Sequence, residues 1–302
     1  MNRSEFYESV KKAVLDKLNG KYEGIDSIVS DVKKSNRTVY CGLIFRGKEN
    51  IQPIINLDRY YEKYLNGKAF ESIVDDIVDI YIESRKNNNI DVNMMLSFES
   101  AKENITTAVM NAELNKKHLD EIPHVIFEDL ALYYKIDIPF TDGTGAGIIK
   151  ITTALLNSWG ISQEKIYNIA VENTIKNHSA VCRDIFEIVQ NMILTNSDAD
   201  NAMQHPEMMM LTNKNNSYGA ALIYPEFHQL EKIAKAVQDD LIVLPSSKHE
   251  VILLKAEVVR KNGLDFIKDM VKDINESCVS YEDFLSNNIY YFTASRNDLK
   301  II

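Results

Sequence analysis

Residues 239–254 read DDLIVLPSSKHEVILL. Two short apolar runs, Leu241–Leu244 and Val251–Leu254, flank a polar stretch that begins with a proline. Runs of this length bounded by turn residues read as strands, so the stretch predicts a hairpin turning at Pro245–Lys248. Both runs are almost wholly apolar, which implies a strand pair covered on both faces. The polar turn then belongs at the end of the sheet, with its side chains in reach of solvent.

Working outward, Met208–Leu211 predicts a strand, Lys214–Ser217 a polar turn and Ala220–Ile223 a second strand. Pro225–Val237 predicts a helix with Phe227, Leu230, Ile233 and Val237 inward. Leu264–Ile274 is a further amphipathic helix, and Ile289–Phe292 reads as a late edge strand. The C-terminal order is therefore ββαββα, an α+β pattern with antiparallel pairing. Upstream, Phe6, Val10, Val14 and Leu18 recur at helical spacing behind the capping pair Asn2 and Glu5. Ile25–Lys33 and Thr38–Phe45 predict strands around Ser35-Asn36-Arg37, and Ile51–Leu57 predicts a third, at an edge because it holds Pro53. Asp58–Asn66 and Phe70–Ser84 predict helices, the second with Ile73, Val74, Ile77, Val78 and Tyr81 on one face. Lys86–Asn89 follows as a polar loop. In the middle, Ile105–Met110, Val125–Phe127, Leu130–Ile138 and Ile148–Ile151 predict strands, with a short helix over Ala112–Leu119. Ser162 predicts the N-cap of a helix whose buried face holds Ile166, Ile169 and Ala170. The fold class is α+β, with mostly antiparallel sheets and packed amphipathic helices. The polar segment Thr195–Pro206 is the linker candidate. It divides the chain into an N-terminal α+β region, 1–205, and a C-terminal ββαββα region, 206–302.

The chain has 302 residues, 34 Lys+Arg against 44 Asp+Glu, and a net charge of −10. A chain of this length buries a core without disulfides or metals. Nucleic acids and anionic membranes attract basic surfaces, so neither is expected as a partner. Three cysteines, Cys41, Cys182 and Cys278, form no CxxC pair, which argues against a disulfide framework or a Cys-rich zinc site. Reduced thiols, no apolar leader and no long apolar run point to a cytoplasmic protein.

Motifs with chemistry are few. Thr141–Gly147 (TDGTGAG) invites a phosphate-loop reading, but the glycines precede a β-like run and Lys150 is followed by Ile151. It reads as a turn. His249-Glu250 starts like a zinc-protease HExxH, but position 253 is Leu and the segment is a strand. The remaining histidines show no HxH or HxxxH spacing, so no metal and no cofactor is expected. Met208-Met209-Met210 leads into a buried strand rather than forming a plastic binding surface. Ser246, Ser247, His249 and Glu250 still gather hydroxyls, an imidazole and a carboxylate at one turn. Alternation along a strand puts His249 and Val251 on one face and Glu250 on the other. The candidate binding residues are these four with Asn213 and Tyr218.

Three strings carry a resemblance: LTNKNNSYGAALIYPEFHQLEKIA (211–234), DDLIVLPSSKHEVILL (239–254) and INESCVSYEDFLSNNIYYF (274–292). With EIPHVIFEDLALYY, LLNSWGISQEKIYNIAVENT and NLDRYYEKYLNGKAFESIVDDIV upstream, the chain resembles an uncharacterised domain family of gut-dwelling Gram-positive bacteria over nearly its whole length. The LTNK…YGA…YP and LPSSxHEV strings are the most specific parts. The chain is more weakly similar to a second uncharacterised family, in bacilli, with a Pro-His-x-Asp in place of Pro-Ser-Ser-Lys-His-Glu. After Glu172-Asn173-Thr174 this chain has Ile175-Lys176, where the first family continues with Pro and Arg. Neither resemblance implies an activity.

Without an assembled catalytic motif, the first expectation is a cytoplasmic, non-catalytic binding or interaction protein, recruiting a protein or small-molecule partner. Edge strands offer one route to such a partner. The alternative is an enzyme acting on a small polar substrate, with a site near Ser246–Glu250 and Tyr218.

Overall fold

The computed structural model describes residues 1–22, 24–47, 53–86, 97–139, 146–185 and 208–302. The expected turn over Thr141–Gly147 lies largely outside these residues. So do most of the polar loop Lys86–Asn89 and all of the linker Thr195–Pro206, with the division at 205. Contacts separate two units, Met1–Met94 with Ile138–Gly147 and Met95–Asp137 with Ile148–Ile302.

In the first unit, α1 (Arg3–Asn19) starts on the Asn2–Glu5 capping box. Each side chain bonds the other residue's backbone N–H at 3.0 Å, satisfying two orphan donors. β1 (Asp26–Lys33), β2 (Val39–Arg46) and β3 (Ile54–Asn56) form an antiparallel sheet in that order. The β1–β2 turn holds Asn36 and Arg37 at positive φ, the twist that two-residue hairpins need. β3 is the edge strand expected from Pro53. α2 (Leu57–Leu65) and α3 (Phe70–Lys86) follow. Phe6, Val10 and Val14 of α1 share a core with Ile73, Val74 and Ile77 of α3 and Leu43 of β2. Each such side chain, fully buried, contributes about 1.5–3 kcal/mol.

The second unit opens with the short helix α4 (Phe98–Ala101) and β4 (Ile105–Asn111). Then come α5 (Lys116–Leu119), β5 (His124–Phe127), β6 (Leu130–Pro139) and β7 (Ala146–Lys150), the last two residues of β6 and the first two of β7 being counted with the first unit. β6 is central, paired antiparallel with β4 and β5, and also paired with β7. The helix expected over Ala112–Leu119 is confined to its last four residues, because Asn111 and Asn115 tie the preceding segment into a turn. α6 (Thr153–Ser158) leads to α7 (Gln163–Asn177), capped by Ser162 as expected. Thr174 and Asn173 bolt α7 onto β4: the Thr174 hydroxyl accepts from Thr107 N–H at 2.9 Å, and the Asn173 amide donates to the Ile105 carbonyl at 2.9 Å.

β8 (Ala180–Asp184) and β9 (Met208–Asn213) belong to a six-stranded antiparallel sheet. α8 (Gln229–Val237), β10 (Leu241–Leu244), β11 (Val251–Lys255), α9 (Ala256–Asn262), α10 (Leu264–Cys278), β12 (Tyr290–Thr293) and β13 (Asp298–Ile301) complete the chain. The sheet order is β13-β12-β10-β11-β9-β8. The β10–β11 hairpin is present with every residue of β10 buried, so both faces are covered as the sequence implied.

Four local expectations are corrected. Ala220–Ile223 is not a strand but part of a 3-10 turn, Gly219–Ile223, fully buried against β4 and β9. The C-terminal ββαββα order thus loses its second strand. The helix expected from Pro225 breaks at His228, whose positive φ separates a 3-10 turn, Pro225–Phe227, from α8. Ile289–Phe292 is not at an edge, because β13 pairs outside β12. The outer side of β13 meets a side chain instead: Glu128, on the β5–β6 turn, accepts from Ile301 N–H at 3.1 Å and from Lys300 Nζ at 2.9 Å. Fourth, the Pro245–Lys248 turn is not solvated at its start. Ser246 and Ser247 are buried, because residues 283–286 run alongside them. Leu285 N–H donates to the Ser246 carbonyl, Ser286 N–H to the Pro245 carbonyl, and Lys248 N–H to the Asp283 carbonyl.

Candidate functional site

The register of β9 against β11 builds the site. Leu211 faces Val251, so two residues further the strand end at Asn213 comes opposite His249. There the chain must turn back. The Asn213 side chain organises that turn: its oxygen accepts from Asn215 and Ser217 N–H groups at 3.0 and 3.2 Å, and its amide donates to the Ser217 carbonyl at 2.7 Å. Asparagine suits this work because its short amide mimics a backbone turn.

Tyr218 follows with φ of 57°. The left-handed region costs a side-chain-bearing residue about 1–2 kcal/mol, so it must be held. His249 holds it. Tyr218 N–H donates to His249 Nδ1 at 3.3 Å, and the two rings lie 5.5 Å apart. Gly219 N–H and the Thr212 hydroxyl both donate to the His249 carbonyl, at 3.0 and 2.9 Å. A Cβ on Gly219 would lie 2.7 Å from that carbonyl oxygen and 2.8 Å from Asn213 N, so only glycine fits.

Two ammonium groups approach the ring of Tyr218, Lys135 Nζ at 5.3 Å and Lys248 Nζ at 5.5 Å from its centroid. Behind it lies the apolar cluster of Ala108, Met110, Leu119, Ile122, Ala131 and Tyr133. Lys135 and Asp137 are two apart on β6 and form an ion pair, with Lys135 only 1% exposed. Lys135 also donates to the Thr106 hydroxyl at 2.9 Å, and Asp137 meets Thr106 at 2.5 Å and His178 Nε2 at 3.0 Å. Burial alone would raise Asp137, but the His178, Lys135 and Thr106 contacts outweigh it and hold the carboxyl down to about 2. Burial lowers Lys135 against the pull of Asp137. On the other side, Asp283 pairs with Lys248 at 2.7 Å and lies 3.4 Å from His249 Nε2. Burial, then Asp283, Glu282 and Asp137, push the Tyr218 phenol up to about 12, so it is a proton donor at neutral pH.

The structure thus gathers Asn213, Tyr218, Ser247 and His249, but in different roles. Asn213 is consumed by its turn. Ser247 accepts from His249 N–H at 3.1 Å. The buried Ser246 hydroxyl has no hydrogen-bond partner among the described residues. Among those residues, no hydrogen bond or ion pair joins Glu250 to the group, as its opposite strand face implied. Both ring nitrogens of His249 are directed, Nδ1 at Tyr218 N–H and Nε2 at Asp283. The half-buried Tyr218 phenol has no hydrogen-bond partner among the described residues. Lys135, Asp137, His178 and Asp283 were not singled out from the sequence. The readable signal was in LYYKIDIP: two charges at alternate positions of an otherwise apolar strand share one face.

No set of three or more His, Cys, Asp or Glu side chains is placed to hold a metal among the described residues. No helix there is long and apolar enough to cross a membrane. A second cleft of about 380 Å³ is lined by Ala112, Lys116, Leu119, His124, Ile126 and Asp129 among others; it shares Leu119 with the apolar cluster behind Tyr218 but none of the polar residues above.

No curated protein and no solved structure matches the chain. A family model does match, over residues 3–294, and by that match the chain belongs to DUF5688, a family of unknown function.

Proposed function

We propose that this protein is a non-catalytic binding protein of the cytoplasm that holds a small polar ligand at Tyr218. The observation that carries the reading is the Tyr218 phenol: a half-buried donor, set on a strained backbone, its ring approached by two ammonium groups and without a hydrogen-bond partner among the described residues. Strained residues held by their surroundings concentrate at ligand sites. A neutral, donating phenol suits a ligand that offers an acceptor oxygen. His249 Nδ1 accepts from the Tyr218 backbone N–H rather than from the phenol, which supports a binding role for the phenol over an acid–base one. Three free thiols agree with a reducing compartment.

The second reading is an enzyme acting on a small polar substrate at the same place. Lys135 favours it, since burial lowers this amine against the pull of Asp137, and buried lysines are the ones recruited for chemistry.

The test compares wild type with Tyr218→Phe, which removes one oxygen. Both are melted against a panel of amino acids, sugars and nucleotides. A compound that raises the melting temperature of wild type by several degrees and leaves the variant unmoved supports the binding reading. Equal shifts in both proteins overturn it. Consumption of that compound by wild type promotes the enzyme.

A further inference from the structure

We propose that His249 is a proton-operated latch on Tyr218, closed when the imidazole is neutral and released when it is protonated. The inference rests on the reading of Tyr218 as the ligand-binding group, and concerns how that group is presented.

The geometry is one-sided. Tyr218 N–H donates to His249 Nδ1 at 3.3 Å, so that nitrogen must carry a lone pair. In the neutral ring the proton then sits on Nε2, which faces Asp283 Oδ1 at 3.4 Å. A proton taken from solvent can add only at Nδ1. It would place two N–H groups head to head and remove the acceptor from Tyr218. The residue losing its bond is the one at positive φ, so the strain that His249 offsets is freed at the same moment. Gly219 N–H remains on the His249 carbonyl, which makes Tyr218 the part that moves.

The groups around the latch act on it in opposite senses. From residues 280–286, Asp283 attracts the charged ring. From the β10–β11 turn, Lys248 at 2.7 Å from Asp283 offsets that attraction. Beyond the Tyr218 ring, Lys135 and Asp137 of β6 form a closed pair. Glu282 and Asp283 both raise the Tyr218 phenol, so the phenol stays protonated through the transition.

The experiment is a pH titration of the full chain by NMR between about pH 8 and 5, reading the His249 imidazole and the Tyr218 amide together. Exchange of the Tyr218 amide, corrected for its intrinsic rate, rises about tenfold in step with the imidazole. His249→Asn places an amide oxygen near the Nδ1 position, an acceptor at every pH, and keeps the Tyr218 amide protected and flat. Asp283→Asn leaves the latch but moves its midpoint to lower pH, which tests the idea if the histidine variant fails to fold. A Tyr218 amide that ignores the imidazole transition overturns the latch, as does an unchanged pH step in His249→Asn. The titration needs no ligand, so either failure leaves the binding reading to its own test.

Discussion

Lys135 and Asp137 form an ion pair inside the second unit, with the lysine side chain 1% exposed and the aspartate 23% exposed. Desolvating two charges offsets most of their attraction, so the pair is a weak source of stability while each partner alone is a liability. Asp137→Asn leaves Lys135 buried beside a neutral group and is expected to cost about 3–5 kcal/mol. Replacing both, Lys135→Met with Asp137→Leu, recovers most of that loss. Denaturant unfolding of the two variants checks this, and a double variant as unstable as the single one sinks it.

Acid stability follows from the same carboxyl. Asp137 is held down to about 2 in the folded chain, below the ordinary aspartate value of 3.8. A group depressed on folding contributes stability that is present above the unfolded value and lost as pH falls through the folded one. The window is therefore between about pH 4 and pH 2, and the contribution at neutral pH is roughly 2 kcal/mol. Unfolding free energies measured across that window are expected to fall, and to fall less steeply in Asp137→Asn.

Gly219→Ala tests the close approach beneath Tyr218. The added methyl meets a carbonyl oxygen and a backbone nitrogen, neither of which yields like the end of a flexible side chain. The expected cost is about 2–3 kcal/mol, larger than the small gain that alanine brings by stiffening the unfolded chain. Thermal melting of this variant beside wild type decides it.

Metal content is the fourth expectation. No histidine or cysteine pair in the sequence has the local spacing of a preformed zinc site, so the purified protein is expected to hold no stoichiometric zinc. Elemental analysis giving about one zinc per chain after dialysis against a chelator overturns this.

Long periodic segments were legible in the sequence because their apolar spacing matches one period only. α1, α3 and α10 announce themselves through side chains on one stripe, and the β10–β11 hairpin through two dense apolar runs. Ala220–Ile223 was not legible, since four apolar residues satisfy a buried strand and a buried helical turn equally well. Tertiary packing decides there: Gly219 is pressed against His249 and leaves no room to extend. The edge position of Ile289–Phe292 failed because β13, Asp-Leu-Lys-Ile, carries too weak a pattern to be seen as the strand outside it. For the site, Tyr218 and His249 stood out by chemistry and motif. Lys135 and Asp137 stood as two charges in an apolar strand, a signal that gains meaning once β6 is known to lie in the middle of its sheet.

The contact of Glu128 with β13 bears on how copies of this chain avoid one another. An outermost strand with unused N–H groups is a template for a second molecule, and such edges are a route to fibrous association. Here a carboxylate already occupies Ile301 N–H and brings a negative charge to the place an incoming backbone carbonyl would need. The guard is borrowed from a turn about 170 positions earlier, on a different sheet of the same unit. The six-stranded sheet is thus shielded along this border only when the β5–β6 hairpin has folded. A chain caught with β12 and β13 formed and that hairpin still open carries an unguarded border, and this is the state in which slow turbidity or filament growth would begin.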